Sequence, residues 1–129
     1  MMQVLLDTHA LLFWLFDDPR MSDVARSVVA DPDTAVFVSA ASSFEIHTKQ
    51  RLGKLTIADA LVSDFSGWVR KAGFRELPMT SAHASQAGNW PHPHRDPFDR
   101  ILAAQASLEH MPLVTRDEAL GSFGVPLVW

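Results

Sequence analysis

The sequence predicts an α/β domain with a mostly parallel central sheet, and three observations carry that expectation. Short β-rich runs alternate with helical patterns along the whole chain. The first run, Val4-Leu5-Leu6, is apolar without alternation, as expected of a strand covered on both faces. No repeat, low-complexity segment or long linker divides residues 1–129, so they read as one domain, large enough to bury a core.

Taken in order, the strand at residues 4–6 closes on Asp7-Thr8. Residues 10–16 (ALLFWLF) are apolar on every side, which predicts a helix that must be covered all round. Ser22 is the expected N-cap of a helix ending at Ala30, with Val24, Val28 and Val29 inward. Residues 35–39 are a second β-rich run. Ser42 or Ser43 is expected to start a helix that carries Phe44, Glu45, Ile46 and Lys49 and stops near Gly53. Thr56 is expected to cap a longer helix, residues 57–72, with Ile57, Leu61, Phe65, Trp68 and Val69 at helical spacing. Residues 74–77 form a third strand candidate and 80–88 a short helix, and 89–95 (NWPHPHR) read as a loop. Asp96-Pro97 then opens an alanine-rich helix. A strand at 113–115, a short helix at 118–123 and a last strand at 127–128 complete the pattern.

The totals narrow the chemistry. There is no cysteine, so disulfides and thiolate-held zinc are excluded, and a cytoplasmic location is expected. Residues 1–3 lack the basic start of a signal peptide, and 10–16 is too short to span a membrane. Fifteen acids face 11 bases, which argues against holding nucleic acid by bulk positive field, unless a bound cation neutralises several of the acids.

Several acids sit where ligands bind in parallel sheets, at strand ends or early in the following helix. Asp7 follows the first strand, and Asp117 follows the strand at 113–115; each is equally a helix cap. Glu45 lies near the start of its helix, where an i,i+4 pair with Lys49 on a solvated face is the alternative. Asp96 reads mainly as an N-cap, whereas Asp99 could serve the helix dipole or turn into a site. Three or four carboxylates at one mouth would repel one another and therefore imply a hard divalent cation, Mg²⁺ or Mn²⁺. One or two such ions activate water and stabilise charge on a phosphodiester, which is the chemistry of a nuclease. No Gly-rich phosphate loop, Ser-His-acid arrangement or Cys/His spacing competes with it. An aspartyl-phosphate phosphatase fits poorly, because Asp7-Thr8-His9 lacks a second acid two residues on.

The stretches LLDTHALLFWL, SAASSFEIHTKQRLGKL, DPFDRILAAQA and LVTRD, in this order across nearly the whole chain, closely resemble the PIN-domain ribonucleases, and among them the VapC-type toxins of type II toxin–antitoxin pairs. The resemblance implies a PIN-like three-layer sandwich. It implies Mg²⁺- or Mn²⁺-dependent cleavage of RNA, homodimers, and inhibition by a small VapB-like antitoxin lying across the active-site groove. By position Asp7, Glu45, Asp99 and Asp117 match the family's metal-binding acids, the last being the least strict. Thr8 and Thr115 match hydroxyl positions beside the site, and Asp96 belongs to a subgroup pattern with no certain role. Phe44 stands where a tryptophan is common, and His47-Thr48 replaces a more apolar pair.

The alternatives are an RNA-processing PIN nuclease without an antitoxin, and a catalytically silent domain that only binds a partner. The apolar helix at 10–16 is a candidate antitoxin contact, with ordinary core as the alternative. Arg100 and Arg116 are candidates for RNA phosphate contact, with ion pairs to neighbouring acids as the alternative. His92 and His94 are expected to lie in a mobile loop at the groove edge rather than in a zinc site, and Trp90 to pack against the domain rather than stack on a base.

Overall fold

A computed structural model describes residues 2–56 and 59–129. In it β1 (Met2–Leu6), β2 (Thr34–Ser39), β3 (Arg75–Leu77), β4 (Leu113–Val114) and β5 (Leu127–Val128) form one sheet in the order β3-β2-β1-β4-β5. Every pairing is parallel, with Leu6 opposite both Val38 of β2 and Val114 of β4. The chain winds outward from β1 to β3 and then crosses back to β4, so its direction reverses between β1 and β4. In open parallel sheets, the crevice beyond the carboxyl ends of the strands at such a reversal is where ligands bind.

Helices cover both faces: α1 (Thr8–Leu15), α2 (Asp23–Ala30), α3 (Ala40–Arg51), α4 (Asp59–Ser63), α5 (Phe65–Lys71), α6 (Ser81–Asn89) and α7 (Pro97–Leu108), with a 3-10 turn at Glu118–Phe123. Strand alternation divides the core between the faces. Val4 and Leu6 pack with Leu11, Phe13, Ala25, Ile46 and Phe65 on one side. Leu5 and Leu113 pack with Leu102, Ala103 and Ala106 of α7 on the other. The continuous Val4-Leu5-Leu6 run is thus a strand with no solvated face.

Several boundaries differ from expectation for local reasons. The third helix begins at Ala40, because the Ser39 hydroxyl accepts the Ala41 N–H at 3.0 Å and so caps it. Ser42 is left free to turn inward. In the expected helix at 57–72, Ile57 lies outside the described residues, and the remainder is two helices. Asp64 breaks it: its carboxylate accepts the Gly67 N–H at 3.1 Å and starts α5 anew. On α2 Ala25 and Val29 are buried and the partly buried Val28 packs against the core as expected, while Val24 is 58% exposed. The apolar α1 is covered along residues 10–13, but Trp14 and Leu15 are only partly buried and the following Phe16 is 45% exposed. Among the described residues no helix is long and apolar enough to cross a membrane.

The junction at Asp64 makes a sharp test. A Cβ on Gly67 would lie 2.1 Å from Asp64 Oδ2. Gly67→Ala is expected to destabilise the protein by about 1–3 kcal/mol, through strain and a lost cap. In an Asp64→Ala background the same change should be neutral or stabilising, since alanine is the better helix former by about 1 kcal/mol. Urea unfolding of the four proteins checks this cycle; equal costs in both backgrounds would refute the clash.

Candidate functional site

Asp7 is the first residue beyond β1 and is 6% exposed. Its Oδ1 accepts the Ala10 N–H at 2.7 Å and caps α1. Its Oδ2 accepts the hydroxyl proton of Thr115, the first residue beyond β4, at 2.5 Å. Thr115, also buried, accepts in turn the Asp117 N–H at 3.0 Å. The carboxyl ends of the two strands at the reversal are thereby tied through one hydroxyl. Thr8 shares a buried hydrogen bond of 2.9 Å with Ser42 on α3, fastening α1 to the helix that carries Glu45.

Glu45 is buried on α3, and its Oε2 meets Lys49 Nζ at 2.5 Å. The i,i+4 pair exists, but not on a solvated face: the carboxylate is withdrawn from water and the half-exposed ammonium offsets the cost. Asp96 caps α7, accepting the N–H groups of Phe98 and Asp99 at 2.9 and 3.2 Å, and Pro97 opens the helix. Asp99, two residues further on, turns instead to His94, with Oδ2 2.9 Å from Nε2. Phe44 and Phe98, neighbours of Glu45 and Asp99 in the chain, meet edge-on with centroids 5.6 Å apart.

The acids are close enough to disturb one another. Burial, above all, pushes the Asp7 carboxyl above its ordinary value of 3.8; Thr115, the Ala10 N–H and His9 oppose it, and the charge of Asp99 pushes it further up. Asp99 is also raised, first by burial and then by the charges of Asp96 and Glu45, with His94 opposing. Carboxylates from three elements, Asp7 after β1, Glu45 on α3 and Asp99 on α7, therefore share one electrostatic neighbourhood. Asp117 stands outside it. Exposed, it caps the 3-10 turn by accepting the Ala119 N–H at 3.0 Å, and reaches Asp7 only by way of Thr115.

As they stand, Lys49 and His94 hold Glu45 and Asp99, and among the described residues no three His, Asp or Glu side chains are gathered tightly enough to grip an ion. The chemistry of the donor set nevertheless fits a hard divalent cation: the three acids offer only oxygens, and two of them are held against burial and mutual repulsion that a cation would relieve.

Arg100 has a different task from phosphate contact. Its Nε donates to Ala87 O, Nη1 to His92 O and His94 O, and Nη2 to Trp90 O, so the guanidinium is spent on backbone carbonyls. The proline loop is accordingly tied down rather than loose at the groove edge. His92 stacks on Phe123 with centroids 3.8 Å apart and bonds Ser122, and Trp90 packs edge-on against the same ring. Arg116 is exposed and lies over Phe13, its guanidinium 5.2 Å from the ring centroid. Ser42 and the pairing of His94 with Asp99 were not legible as site features in the sequence. The one available signal for Ser42 was its place three residues before Glu45, on the same helical face.

A family model described as PIN domain matches residues 4–125. No curated protein sequence matches the chain significantly. Among solved structures, the fold is similar to VapBC2 from Rickettsia felis bound to a DNA fragment from its promoter, at TM-score 0.71 and 13% identity, covering 98% of this chain and 97% of that one. VapC20 of Mycobacterium tuberculosis, a toxin that cleaves the sarcin–ricin loop, matches at TM-score 0.70 and 17% identity over 95% of both chains. A toxin–antitoxin complex from Klebsiella pneumoniae matches at TM-score 0.63 and 19% identity, covering 98% of this chain and 96% of that one.

Two outcomes follow from the geometry. Well below pH 3.8 Asp7 is protonated whether the chain is folded or unfolded, so Asp7→Asn should match the wild type there. As pH rises above 3.8 the unfolded chain ionises first, and the wild type loses stability until the raised Asp7 carboxyl also ionises. Asparagine keeps the cap. In metal-free buffer at pH 7 the variant should therefore melt higher than the wild type; an equal or lower melting temperature would contradict a raised Asp7. Arg100→Met should cost about 2 kcal/mol, because hydrogen bonds from a charged group are worth about 1.5–3 kcal/mol. It should also open residues 89–96 to limited proteolysis, and an unchanged unfolding midpoint and digestion pattern would remove the anchoring role.

Proposed function

This chain belongs to the PIN-domain family, and on that footing we propose that it is a metal-dependent endoribonuclease, the toxin of a type II toxin–antitoxin pair. The observation that supports the reading is the electrostatic link between acids of three elements: the Asp99 charge helps to raise the Asp7 carboxyl at the end of β1, and the Glu45 charge helps to raise Asp99. Asp7, Glu45 and Asp99 would hold Mg²⁺ or Mn²⁺, with Asp117 as an outer fourth acid. When bound, the ion supplies an activated water and stabilisation of charge on the phosphodiester.

The protein's own groups prepare that site. Thr115 fixes the direction of the Asp7 carboxylate, and the Thr8–Ser42 bond sets the spacing between Asp7 and the helix of Glu45. The Lys49 ammonium beside Glu45 and the hydrogen bond between His94 and Asp99 help neighbouring carboxylates to occupy one mouth. Asp96 keeps its structural work as the cap that aims the first turn of α7. The substrate is RNA, the inhibitor is a small VapB-like antitoxin, and residues 1–129 act as one domain in a cytoplasmic homodimer. The likeness of fold to a toxin that cleaves the sarcin–ricin loop and to a toxin–antitoxin complex supports this reading over a processing nuclease or a silent domain.

The test is cleavage of a structured RNA by the purified chain. Mg²⁺ or Mn²⁺ should sustain cleavage and a chelator should stop it. Asp99→Asn and Asp7→Asn should each lower kcat/KM by roughly a hundredfold or more, the scale of losing one preorganised charge-stabilising group. Expression should arrest growth unless the antitoxin is co-expressed. A wild-type chain that cleaves no RNA with either metal defeats the nuclease reading, and a fully active Asp99→Asn defeats the site assignment.

A further inference from the structure

Beside α1 lies a groove of about 490 Å³ whose charge is opposite to that of the chain as a whole. The protein is acidic, yet this groove holds Arg20, Lys54 and Arg116 against a single carboxylate, Asp18. Its floor is Phe13, whose ring carries two guanidiniums, Arg20 at 4.7 Å and Arg116 at 5.2 Å from the centroid. Gathering like charges on one ring is unfavourable unless something compensates them. Asp18 compensates one: it takes Arg20 through both oxygens at 3.0 and 2.7 Å, and that pairing holds its carboxyl down to about 2. The Arg116 charge also reaches Asp18 and lowers it further. Among the described residues, neither Arg116 nor Lys54 comes within ion-pair distance of a carboxylate. Phe16, 45% exposed just past the end of α1, adds an aromatic face to the same groove.

The groove adjoins the acid mouth: His9, on its wall, follows Asp7 by two residues, and Arg116 directly follows Thr115, whose hydroxyl is bonded to Asp7. We infer that this groove binds single-stranded RNA flanking the phosphodiester at the acid mouth, Lys54 and Arg116 contacting phosphates and Phe16 stacking on a base. The inference rests on the nuclease reading and adds the path by which substrate leaves the site. Cations outside any ion pair, interleaved with aromatic faces, are what a single strand requires, since its phosphates need counter-charge and its unpaired bases present flat faces. A protein segment on the apolar side of α1 would instead have to bury Lys54 and Arg116, at a cost in desolvation unless it brought its own acids.

The test uses the full chain carrying Asp99→Asn, so that RNA is bound and not consumed, with a fluorescein-labelled oligouridylate titrated by anisotropy across a KCl series. Lys54→Gln and Arg116→Gln break no ion pair and should fold as the parent does. Each is expected to weaken binding about tenfold at low salt and to flatten the slope of log K against log salt by about 0.7, the value of one single-strand phosphate contact. Phe16→Ala should weaken binding about tenfold with the slope unchanged, as lost stacking predicts. Unchanged affinity and slope in both cation variants overturn the proposal. If the chain with Asp99 intact cleaves RNA while Lys54→Gln and Arg116→Gln keep the wild-type KM, the groove assignment fails and the nuclease reading stands. If it neither binds nor cleaves RNA, both fail. If the cation variants bind oligouridylate normally but no longer co-purify with the antitoxin, the groove is a protein-docking surface and the proposal is overturned.

Discussion

The two oxygens of Asp7 hold together the parts of the molecule that matter for function. One closes the first turn of α1 and the other takes the hydroxyl of Thr115, so the end of β1, the start of α1 and the end of β4 meet at a single carboxylate. The parallel sheet makes this possible. With every strand running the same way, all the carboxyl ends lie at one edge, and the reversal of winding between β1 and β4 leaves a crevice there. An antiparallel sheet of the same strands would have sent Asp7 and Thr115 to opposite ends.

That arrangement has an electrostatic cost. Burial disfavours the ionised forms of Asp7 and Asp99, and each also feels another acid nearby. Lys49 and His94 relieve part of the tension from the side, each bound to one carboxylate. Perturbed carboxyls gathered at the carboxyl edge of a parallel sheet mark a candidate functional site. At Asp7 burial favours the neutral side chain, while the hydrogen bonds from Thr115 and the Ala10 N–H favour the charged one.

The charge distribution carries the same logic outward. The chain is acidic in sum, which by itself speaks against a polyanion as ligand. Sign is nevertheless local. Two guanidiniums share the Phe13 ring beside the acid mouth, while Arg100, equally plausible as an RNA contact from its position in the chain, is consumed by four carbonyls of the loop it anchors.

The order of elements and the parallel sheet were legible in the chain by itself, because strand and helix periods, caps and apolar runs are local properties; Asp7, Glu45 and Asp99 stood out only as a group and by resemblance, since each alone reads equally as a cap or a surface pair. Local rules also placed Asp96 correctly as a cap. Where two local rules competed, the sequence could not choose between them: Ser39 rather than Ser42 starts α3, and Asp64 splits a helix whose apolar spacing ran straight through it. Only the tertiary structure decided which charges meet. Glu45 paired with Lys49 looked solvated until α3 was packed against α1 and α7, and Arg100 and Arg116 were indistinguishable until the loop and the Phe13 ring took their places. The physical reason is that periodicity reports which face of an element is buried, whereas electrostatic partners are set by which elements meet at that face, and that is a property of the whole fold.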